Sequence, residues 1–229
     1  MRVAILPVRP AIVVCGLSAF LWAAATPLFD GKTLNGWNQC NGNAIYVVED
    51  GMLTGTTVKD SPNSFLCTNR EYANFVLELD EKNDPELNSG VQLRSHRYEK
   101  ETDTVVNNKG MRPRHWPAGR VHGYQVEIAN EKAGNSGGIF DEARRGWIGD
   151  IAAGSACSHA YHDNQWNHFR VTADGDHIQT WVNGVACADI HDVMDKSGFI
   201  ALQVHEYNGP KPVRVWFKNI RIEELPPQR

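Results

Sequence analysis

The stretch Gly123-Tyr124-Gln125-Val126-Glu127-Ile128 alternates polar and apolar side chains over six residues. Side chains on a β-strand point to opposite faces with period two, so Gln125 and Glu127 share one face and Val126 and Ile128 share the other. This alternation is typical of an antiparallel strand with one face on a core and one face open. The stretch therefore predicts a half-buried strand whose open face carries an amide and a carboxylate.

Two further stretches repeat this pattern: Ser89-Gly90-Val91-Gln92-Leu93-Arg94 and Ile200-Ala201-Leu202-Gln203-Val204-His205. On regular strands, Gln92 would share a face with Arg94, and Gln203 with His205. If the three polar faces lie on one sheet surface, an arginine, a carboxylate, an imidazole and several amides line one wall. Such a wall can bind a polar ligand and move protons on it. The pattern alone leaves the alternative open that these are solvated faces of ordinary antiparallel strands.

The rest of the chain also reads as short strands separated by turns. Asn183-Gly184 and Asp50-Gly51 lie between alternating runs, which is a strong hairpin signal. No stretch shows sustained helical periodicity. Many short strands with glycine-containing turns predict an all-β sandwich or jelly roll. Residues 99–120 break the rhythm, and we predict a long loop there that folds over the polar surface as a lid, with a non-functional insertion as the alternative.

The N-terminal segment has the features of a signal peptide. Arg2 and Arg9 precede an apolar run that is too short to span a membrane, and Ala23-Ala24-Ala25 resembles a cleavage site. We therefore expect an exported protein, periplasmic or secreted, with a signal peptide at 1–25 and a single domain at 26–229.

Removing residues 1–25 would change the net charge of the chain. It would leave 21 basic against 27 acidic residues, so the charge would move from −4 to −6. The chain shows no basic stripe, which argues against a nucleic-acid partner. After the N-terminal segment, the sequence has no apolar run long enough to cross a membrane. It does not define an oligomeric state.

Four cysteines remain after the signal peptide: Cys40, Cys67, Cys157 and Cys187. An even number in an exported chain predicts two disulfides, and three pairings are possible. We favour Cys40–Cys67 with Cys157–Cys187, because each pair lies within one half of the chain. A zinc site is the alternative, but no C-x-x-C spacing supports it.

The segment Glu78-Leu79-Asp80 tests for an ordinary retaining glycosidase. Laminarinase-type enzymes carry Glu-x-Asp-x-x-Glu on a strand, whereas Asn83 stands here at the position of the second glutamate. The retaining mechanism needs two carboxyl groups about 5 Å apart, and this segment supplies one of them. The sequence therefore argues against this mechanism.

Ordered motifs along most of the chain resemble the 3-keto-disaccharide hydrolase domain family. The motifs are Leu28-Phe29-Asp30-Gly31-Lys32-Thr33-Leu34-Asn35-Gly36-Trp37, Glu49-Asp50-Gly51-Met52-Leu53, Asn88-Ser89-Gly90-Val91-Gln92-Leu93-Arg94, Gly123-Tyr124-Gln125-Val126-Glu127-Ile128, Ile139-Phe140-Asp141-Glu142-Ala143-Arg144-Arg145, Trp166-Asn167, Asn183-Gly184-Val185 and Val215-Trp216-Phe217-Lys218-Asn219-Ile220. The resemblance implies a concanavalin-like β-jelly roll of two curved antiparallel sheets with a ligand on the concave face. It also implies cleavage of glycosides already oxidised to a ketone at C3.

That activity assigns roles to the polar strands. A base removes the acidified C2 proton, the enolate expels the C1 substituent, and water adds to the resulting double bond. We assign Glu127 or His205 as the base and the other as the acid, and Arg94 as the group that holds the enolate oxygen. A divalent cation could replace the arginine, although no ligand spacing identifies a metal site.

The remaining candidates would bind the saccharide. Gln92, Gln125 and Gln203 are expected to hold hydroxyl groups, while Glu142 and Arg144 complete one rim. Tyr124 is expected to contribute packing, because it faces opposite Glu127. Two other functions remain open: a non-catalytic carbohydrate-binding module or lectin with the same jelly roll, and a hydrolase of unoxidised glycans.

Overall fold

The computed structural model describes residues 25–227, which fold as β-strands almost throughout. The predicted signal peptide, apart from Ala25, lies outside the described residues. Within residues 25–227 the helical element is one 3₁₀ turn at Cys157–His159. The strands in chain order are β1 (Thr26–Pro27), β2 (Trp37–Asn41), β3 (Ile45–Glu49), β4 (Met52–Thr56), β5 (Ser64–Thr68), β6 (Phe75–Asn83), β7 (Ser89–Arg97), β8 (Thr102–Asn107), β9 (Met111–Trp116), β10 (Val121–Ile128), β11 (Ile139–Glu142), β12 (Gly146–Gly149), β13 (Asn167–Asp174), β14 (His177–Val182), β15 (Val185–His191), β16 (Phe199–Val204) and β17 (Arg214–Glu224).

The strands form two sheets. The eight-stranded sheet has the order β15-β14-β13-β6-β17-β4-β3, with β1 beside β17. The nine-stranded sheet has the order β2-β5-β16-β7-β10-β11-β12-β8-β9. Strand pairing is antiparallel throughout the described residues except for a short parallel contact between β8 and β12. This arrangement confirms the predicted all-β jelly roll.

The core lies between the sheets and is built from the apolar faces that alternation predicts. In the nine-stranded sheet Val91, Val126 and Leu202 are almost completely buried, and in the eight-stranded sheet Leu77 and Phe217 are as well. The register pairs Val126 with Val91, and Val91 with Leu202, across three neighbouring strands. Since cross-strand partners share a face, the polar residues between them point away from the core together.

The tight turns follow their residue types. Asn183 and Gly184 have φ angles of 50° and 81° between β14 and β15, and Asp50 and Gly51 have 50° and 77° between β3 and β4. Two consecutive positive φ angles are the signature of the hairpin turn that matches strand twist. The Asn-Gly and Asp-Gly signals therefore predicted both hairpins.

Two disulfides connect the cysteines as predicted. Cys40–Cys67 joins the neighbouring strands β2 and β5, and Cys157–Cys187 joins the 3₁₀ turn to β15. They close segments with sequence separations of 27 and 30 residues, which restricts the unfolded chain.

The segment at 99–120 differs from the prediction of a long irregular loop. It forms the β8–β9 hairpin, with six paired positions from Thr102–Trp116 to Asn107–Met111, and it extends the nine-stranded sheet beyond β12. The polar composition of the segment hid the alternation, because most of its side chains are exposed on both faces. Among residues 25–227, none of the secondary structure is a helix of the length and apolarity that a membrane crossing requires.

Candidate functional site

A cleft of about 1010 Å³ opens on the face of the nine-stranded sheet that is turned away from the core. Its floor comes from β10, β11 and the end of β16, and one wall comes from the β8–β9 hairpin. The predicted site residues that line it are Gln125, Glu127, Glu142 and His205. The structure therefore brings the Glu127 carboxyl group and the His205 imidazole of the predicted polar faces into one cleft, together with Glu142, which was predicted at the rim.

Glu127 lies at the end of a directed chain of hydrogen bonds along the sheet surface. The Ser95 hydroxyl donates to Gln92 Oε1 at 2.6 Å, and Gln92 Nε2 donates to Gln125 Oε1 at 2.7 Å. Gln125 Nε2 then donates to Glu127 Oε2 at 3.2 Å, and Asn88 Nδ2 donates to Glu127 Oε1 at 2.6 Å. Both carboxylate oxygens are thus held by amide donors, which fixes the orientation of the carboxyl group in the cleft.

A glycine in β7 makes room for this chain. Gly90 is the cross-strand partner of Glu127, and a Cβ atom there would lie 2.5 Å from the side-chain carbonyl carbon of Gln125. No larger residue leaves space for Gln125 to lie flat on the sheet and reach Glu127.

The pKa of Glu127 is raised to about 7. Burial of the carboxyl group is the main cause, because the side chain is removed from water and the charged form loses hydration. The hydrogen bonds from Asn88 and Gln125 oppose this shift by favouring the carboxylate, while the nearby charge of Glu142 adds to it. A carboxyl group with this pKa exchanges a proton near neutral pH, as a general base or acid requires.

Glu142 and Arg120 form a buried ion pair beside Glu127. Arg120 Nη2 donates to Glu142 Oε1, and Asn63 Nδ2 donates to the same oxygen at 3.2 Å. Arg120 is 7% exposed, and its Nε and Nη1 atoms have no hydrogen-bond partner within residues 25–227. Both residues line the cleft, so the pair places a buried guanidinium group in the same cleft wall as Glu142, near Glu127.

His205 follows directly after β16 and is partly exposed at the cleft. Its Nδ1 atom lies 2.9 Å from the backbone carbonyl oxygen of Glu206. A carbonyl oxygen only accepts, so Nδ1 carries the proton in this contact. The contact therefore fixes the tautomer of the neutral ring.

Gln92 and Gln203 lie beneath the surface of the floor. Gln92 is fully buried and contacts Gln125 and Ser95, so it positions Gln125. Gln203 is also fully buried, and neither of its amide atoms has a partner among the described residues. The structure does not place either residue at the surface of the cleft, which Gln125 reaches.

Arg94 does not share the face of Gln92, and that prediction is wrong. Its φ angle is 45°, and the register between β7 and β10 shifts at this point, so one extra residue breaks the alternation. The fully buried side chain instead donates to the carbonyl oxygens of Ala73 and Gly175, both at 2.6 Å. Ser95 takes the place beside Gln92, and Arg94 joins β7 to two loops at the end of the eight-stranded sheet.

Arg144 and Tyr124 also lie away from the cleft. Arg144 binds Asp141 and Asp195, the latter at 2.5 Å, in an ion-pair network behind β11. The Tyr124 hydroxyl donates to Asp192 at 2.5 Å on the core side, as its predicted orientation opposite Glu127 requires. Burial, together with this contact, raises the pKa of Tyr124 to about 12. The predicted rim role of Arg144 is therefore replaced by a structural one.

A group of potential metal ligands lies on the other sheet. Among the described residues, His177, Asp189 and His191 of the β14–β15 hairpin bring ligand atoms within 4.8 Å of one another. They do not line the cleft. A divalent cation at the cleft remains a prediction from the sequence with no ligand set attached to it.

Sequence reasoning missed Arg120 and the inner face of the β8–β9 hairpin. The Arg120 guanidinium lies 5.0 Å from the ring of Trp116 and 5.5 Å from the ring of Phe65. Its position directly before β10 was the available signal, since it precedes the strand that carries Glu127. The assignment of 99–120 to an irregular loop concealed it.

The fold and the cleft define a β-sandwich with a buried carboxyl group and an imidazole on the open face of one sheet. The chain belongs to the family of the 3-keto-alpha-glucoside-1,2-lyase-like domain, whose sequence profile matches residues 24–223. A search of curated protein sequences finds no match.

Solved structures share the fold at low sequence identity. A candidate glycosyl hydrolase from Parabacteroides distasonis ATCC 8503 superposes with a TM-score of 0.56 and 19% identity, over 88% of this chain and 94% of that one. The carbohydrate binding module CBM66 from Bacillus subtilis gives a TM-score of 0.54 and 17% identity, over 82% and 96%. A Bacillus subtilis protein with a galectin-like fold gives 0.59 and 9%, over 85% and 92%. These similarities show the shared fold.

Proposed function

We propose that the protein is an exported enzyme that cleaves 3-keto-glycosides by elimination and hydration. The observation that carries the proposal is Glu127, a carboxyl group in an open cleft, held by two amide donors and with a pKa raised to about 7. Membership in the lyase-like family and the two disulfides support the reaction class and the export respectively.

The reaction balances without an oxidant. The carboxylate of Glu127 takes the proton from C2, which the C3 ketone makes acidic, and the electron pair forms an enolate. The enolate forms the C1–C2 double bond as the C1–O bond breaks, and the leaving oxygen gains a proton to become an alcohol. Water then adds across the double bond, with hydroxyl on C1 and hydrogen on C2, to give the free 3-keto sugar.

His205 is the proposed acid for the leaving oxygen. With Nδ1 donating to the Glu206 carbonyl, the imidazolium form can donate its Nε2 proton into the cleft. This orders the two roles that the sequence left interchangeable, with Glu127 as the base and His205 as the acid.

Arg120 takes the role in our proposal that the sequence gave to Arg94. A developing enolate oxygen needs a preorganised positive charge, and Arg120 is a buried cation in the lining of the cleft, fixed by its ion pair with Glu142. Gln125 and Asn88 line the same cleft and are placed to bind hydroxyl groups.

The test is incubation of the mature protein with a 3-keto-glucoside and with the matching unoxidised glucoside in D₂O. NMR follows release of the leaving group and exchange of the C2 proton. We expect cleavage of the 3-keto-glucoside but not of the unoxidised glucoside, with deuterium at C2 of the product. Turnover of the unoxidised glucoside would overturn the elimination mechanism.

A carbohydrate-binding module is the second candidate, favoured by the similarity to the Bacillus subtilis module. It predicts saccharide binding with no turnover of either glucoside, and no effect of Glu127→Gln on the fold. The same NMR experiment separates the two functions, because binding shifts sugar resonances without releasing the leaving group.

A further inference from the structure

The inner face of the β8–β9 hairpin concentrates positive charge at one wall of the cleft. Alternation along β9 places Arg112, Arg114 and Trp116 on one face, and all three line the cleft. Lys109, in the turn between the two strands, lines it as well. Three cationic side chains and an indole thus project from one small hairpin toward the space above Glu127.

These cations are not neutralised by neighbouring carboxylates. Among residues 25–227, none of Lys109, Arg112 and Arg114 forms a salt bridge with an acidic side chain. The hairpin's own Asp103 pairs instead with His115, at 2.8 Å. The exposed guanidinium groups therefore keep their donors available to a ligand.

The line of positive charge continues down to the floor of the cleft. Arg120 stacks beside Trp116 at the root of the hairpin, and its Nε and Nη1 atoms are buried without partners among the described residues. Arg120 therefore adds a buried positive charge beneath the exposed cations of the hairpin.

The rest of the chain has the opposite charge. The full sequence has 27 acidic against 23 basic residues. Of the three glutamates that line the cleft, Glu142 is paired with Arg120 and Glu127 has a pKa of about 7, which leaves Glu206 as the one carboxylate opposing three hairpin cations. A positive wall on an acidic protein attracts anions to one place.

We propose that the glycoside bound in this cleft carries an anionic group, either a carboxylate or a phosphate, which Arg112 and Arg114 bind. Guanidinium groups match both anions with paired N–H donors, and Trp116 offers an apolar surface for the adjacent sugar ring. This inference rests on the proposed function, since it names the substrate class of the same cleft.

The test measures binding by calorimetry with three probes: methyl β-D-glucuronide, glucose 1-phosphate and methyl β-D-glucoside. We expect at least one acidic probe to bind about ten-fold more tightly than the neutral glucoside at low salt, and the preference to shrink as salt rises. Whichever acidic probe binds more tightly identifies the source of the anion. Equal binding of the three probes, or no preference for an acidic one, overturns the inference.

The variants localise the effect. Arg112→Ala/Arg114→Ala should abolish the preference for the acidic probe. Arg70→Ala/Arg221→Ala removes the same total charge from surface ion pairs with Glu224 and Glu78, and it should leave the preference unchanged. An equal loss in both double variants would show a general charge effect and would overturn the assignment to the hairpin.

Cleavage assays separate this inference from the proposed function. If a neutral 3-keto-glucoside is cleaved as fast as a 3-keto-glucuronide or a 3-keto-sugar phosphate, the anion site fails and the proposed function stands. If acidic probes bind through Arg112 and Arg114 but no 3-keto-glycoside is cleaved, the proposed function fails and the anion site stands.

Discussion

Two buried glutamates, Glu81 and Glu127, have similar burial and very different surroundings. Both pKa values are raised by burial, that of Glu81 to about 8 and that of Glu127 to about 7. Glu81 points into the core between the sheets from β6, where Tyr161 and Asn83 enclose it. Glu127 instead lines the open cleft.

The hydrogen bonds around Glu81 fit a protonated carboxyl group. The Tyr161 hydroxyl has one proton and lies 2.5 Å from Asn83 Oδ1, while Glu81 Oε2 lies 3.1 Å from the same hydroxyl. With Tyr161 donating to Asn83, Glu81 must donate to Tyr161. A raised pKa therefore does not by itself identify a functional carboxyl group; access to a ligand distinguishes the two.

The sharpest test of this comparison exchanges each glutamate for glutamine. Glu127→Gln removes the proposed base, and turnover of a 3-keto-glucoside should fall about 1000-fold with the fold retained. Glu81→Gln keeps the shape of a neutral carboxyl group and should change turnover less than about three-fold, because this residue does not reach the cleft. Steady-state kinetics with circular dichroism checks both variants. More than half of the wild-type turnover in folded Glu127→Gln would refute its role as base.

The two buried arginines extend the comparison. Arg94→Met leaves carbonyl acceptors at Ala73 and Gly175 without their donor, and it should lower the free energy of unfolding by about 3 kcal/mol. Urea denaturation measures this loss. An unchanged unfolding midpoint would contradict the structural role of Arg94.

Arg120→Gln should act mainly on catalysis. The amide keeps a donor for Glu142 but removes the positive charge proposed to face the enolate oxygen, so kcat should fall about 100-fold. The matched measurement is the unfolding free energy, which should fall less than in Arg94→Met. If kcat stays unchanged while stability falls, Arg120 supports the structure as Arg94 does.

Smaller effects are expected from pH, first on the free energy of unfolding through Glu81. A folded-state pKa of about 8 means that folded Glu81 holds a proton that the unfolded chain releases above about pH 4.5, so its contribution to stability falls as pH rises between these values. Glu81→Gln should therefore be about 1–3 kcal/mol more stable than wild type at pH 8, with a smaller difference at pH 5. Urea titrations at the two pH values measure it, and a difference independent of pH would show that Glu81 is ionised in the fold.

Glu127 should impose its own pH dependence on activity. Because its pKa is about 7, kcat/KM should rise as pH increases through this value and the carboxyl group loses its proton. Glu81→Gln serves as the control and should keep the wild-type profile. If kcat/KM of the wild-type enzyme does not change between about pH 6 and pH 8, Glu127 is not the base.

The sequence predicted the fold well because its signals are local. Alternation in β7, β10 and β16 identified the core faces, and Asn183-Gly184 marked a hairpin. The prediction of which side chains share the open face is correct where alternation is regular, at Gln125 and Glu127. It failed at Arg94, where one bulged residue with positive φ changes the face of every later side chain in the strand. A bulge depends on the neighbouring strand, so the pattern of one segment does not contain it.

The β8–β9 hairpin could not be predicted from the local sequence, for a different reason. Its strands carry polar residues on both faces, so periodicity could not distinguish a strand from a loop. The position of Arg120 depends on its contacts with Trp116 and Glu142, which are set by the way the hairpin continues the sheet.

The amide chain that ends at Glu127 also isolates that residue from the protein interior. Gln92 and Gln125 are linked through carboxamide groups, which do not ionise near neutral pH and so do not pass protons along the chain as water or imidazole would. Under the proposed chemistry, a proton taken from C2 has one exit, through the cleft. In D₂O, deuterium therefore reaches Glu127, and from there C2 of the product, from the cleft side alone.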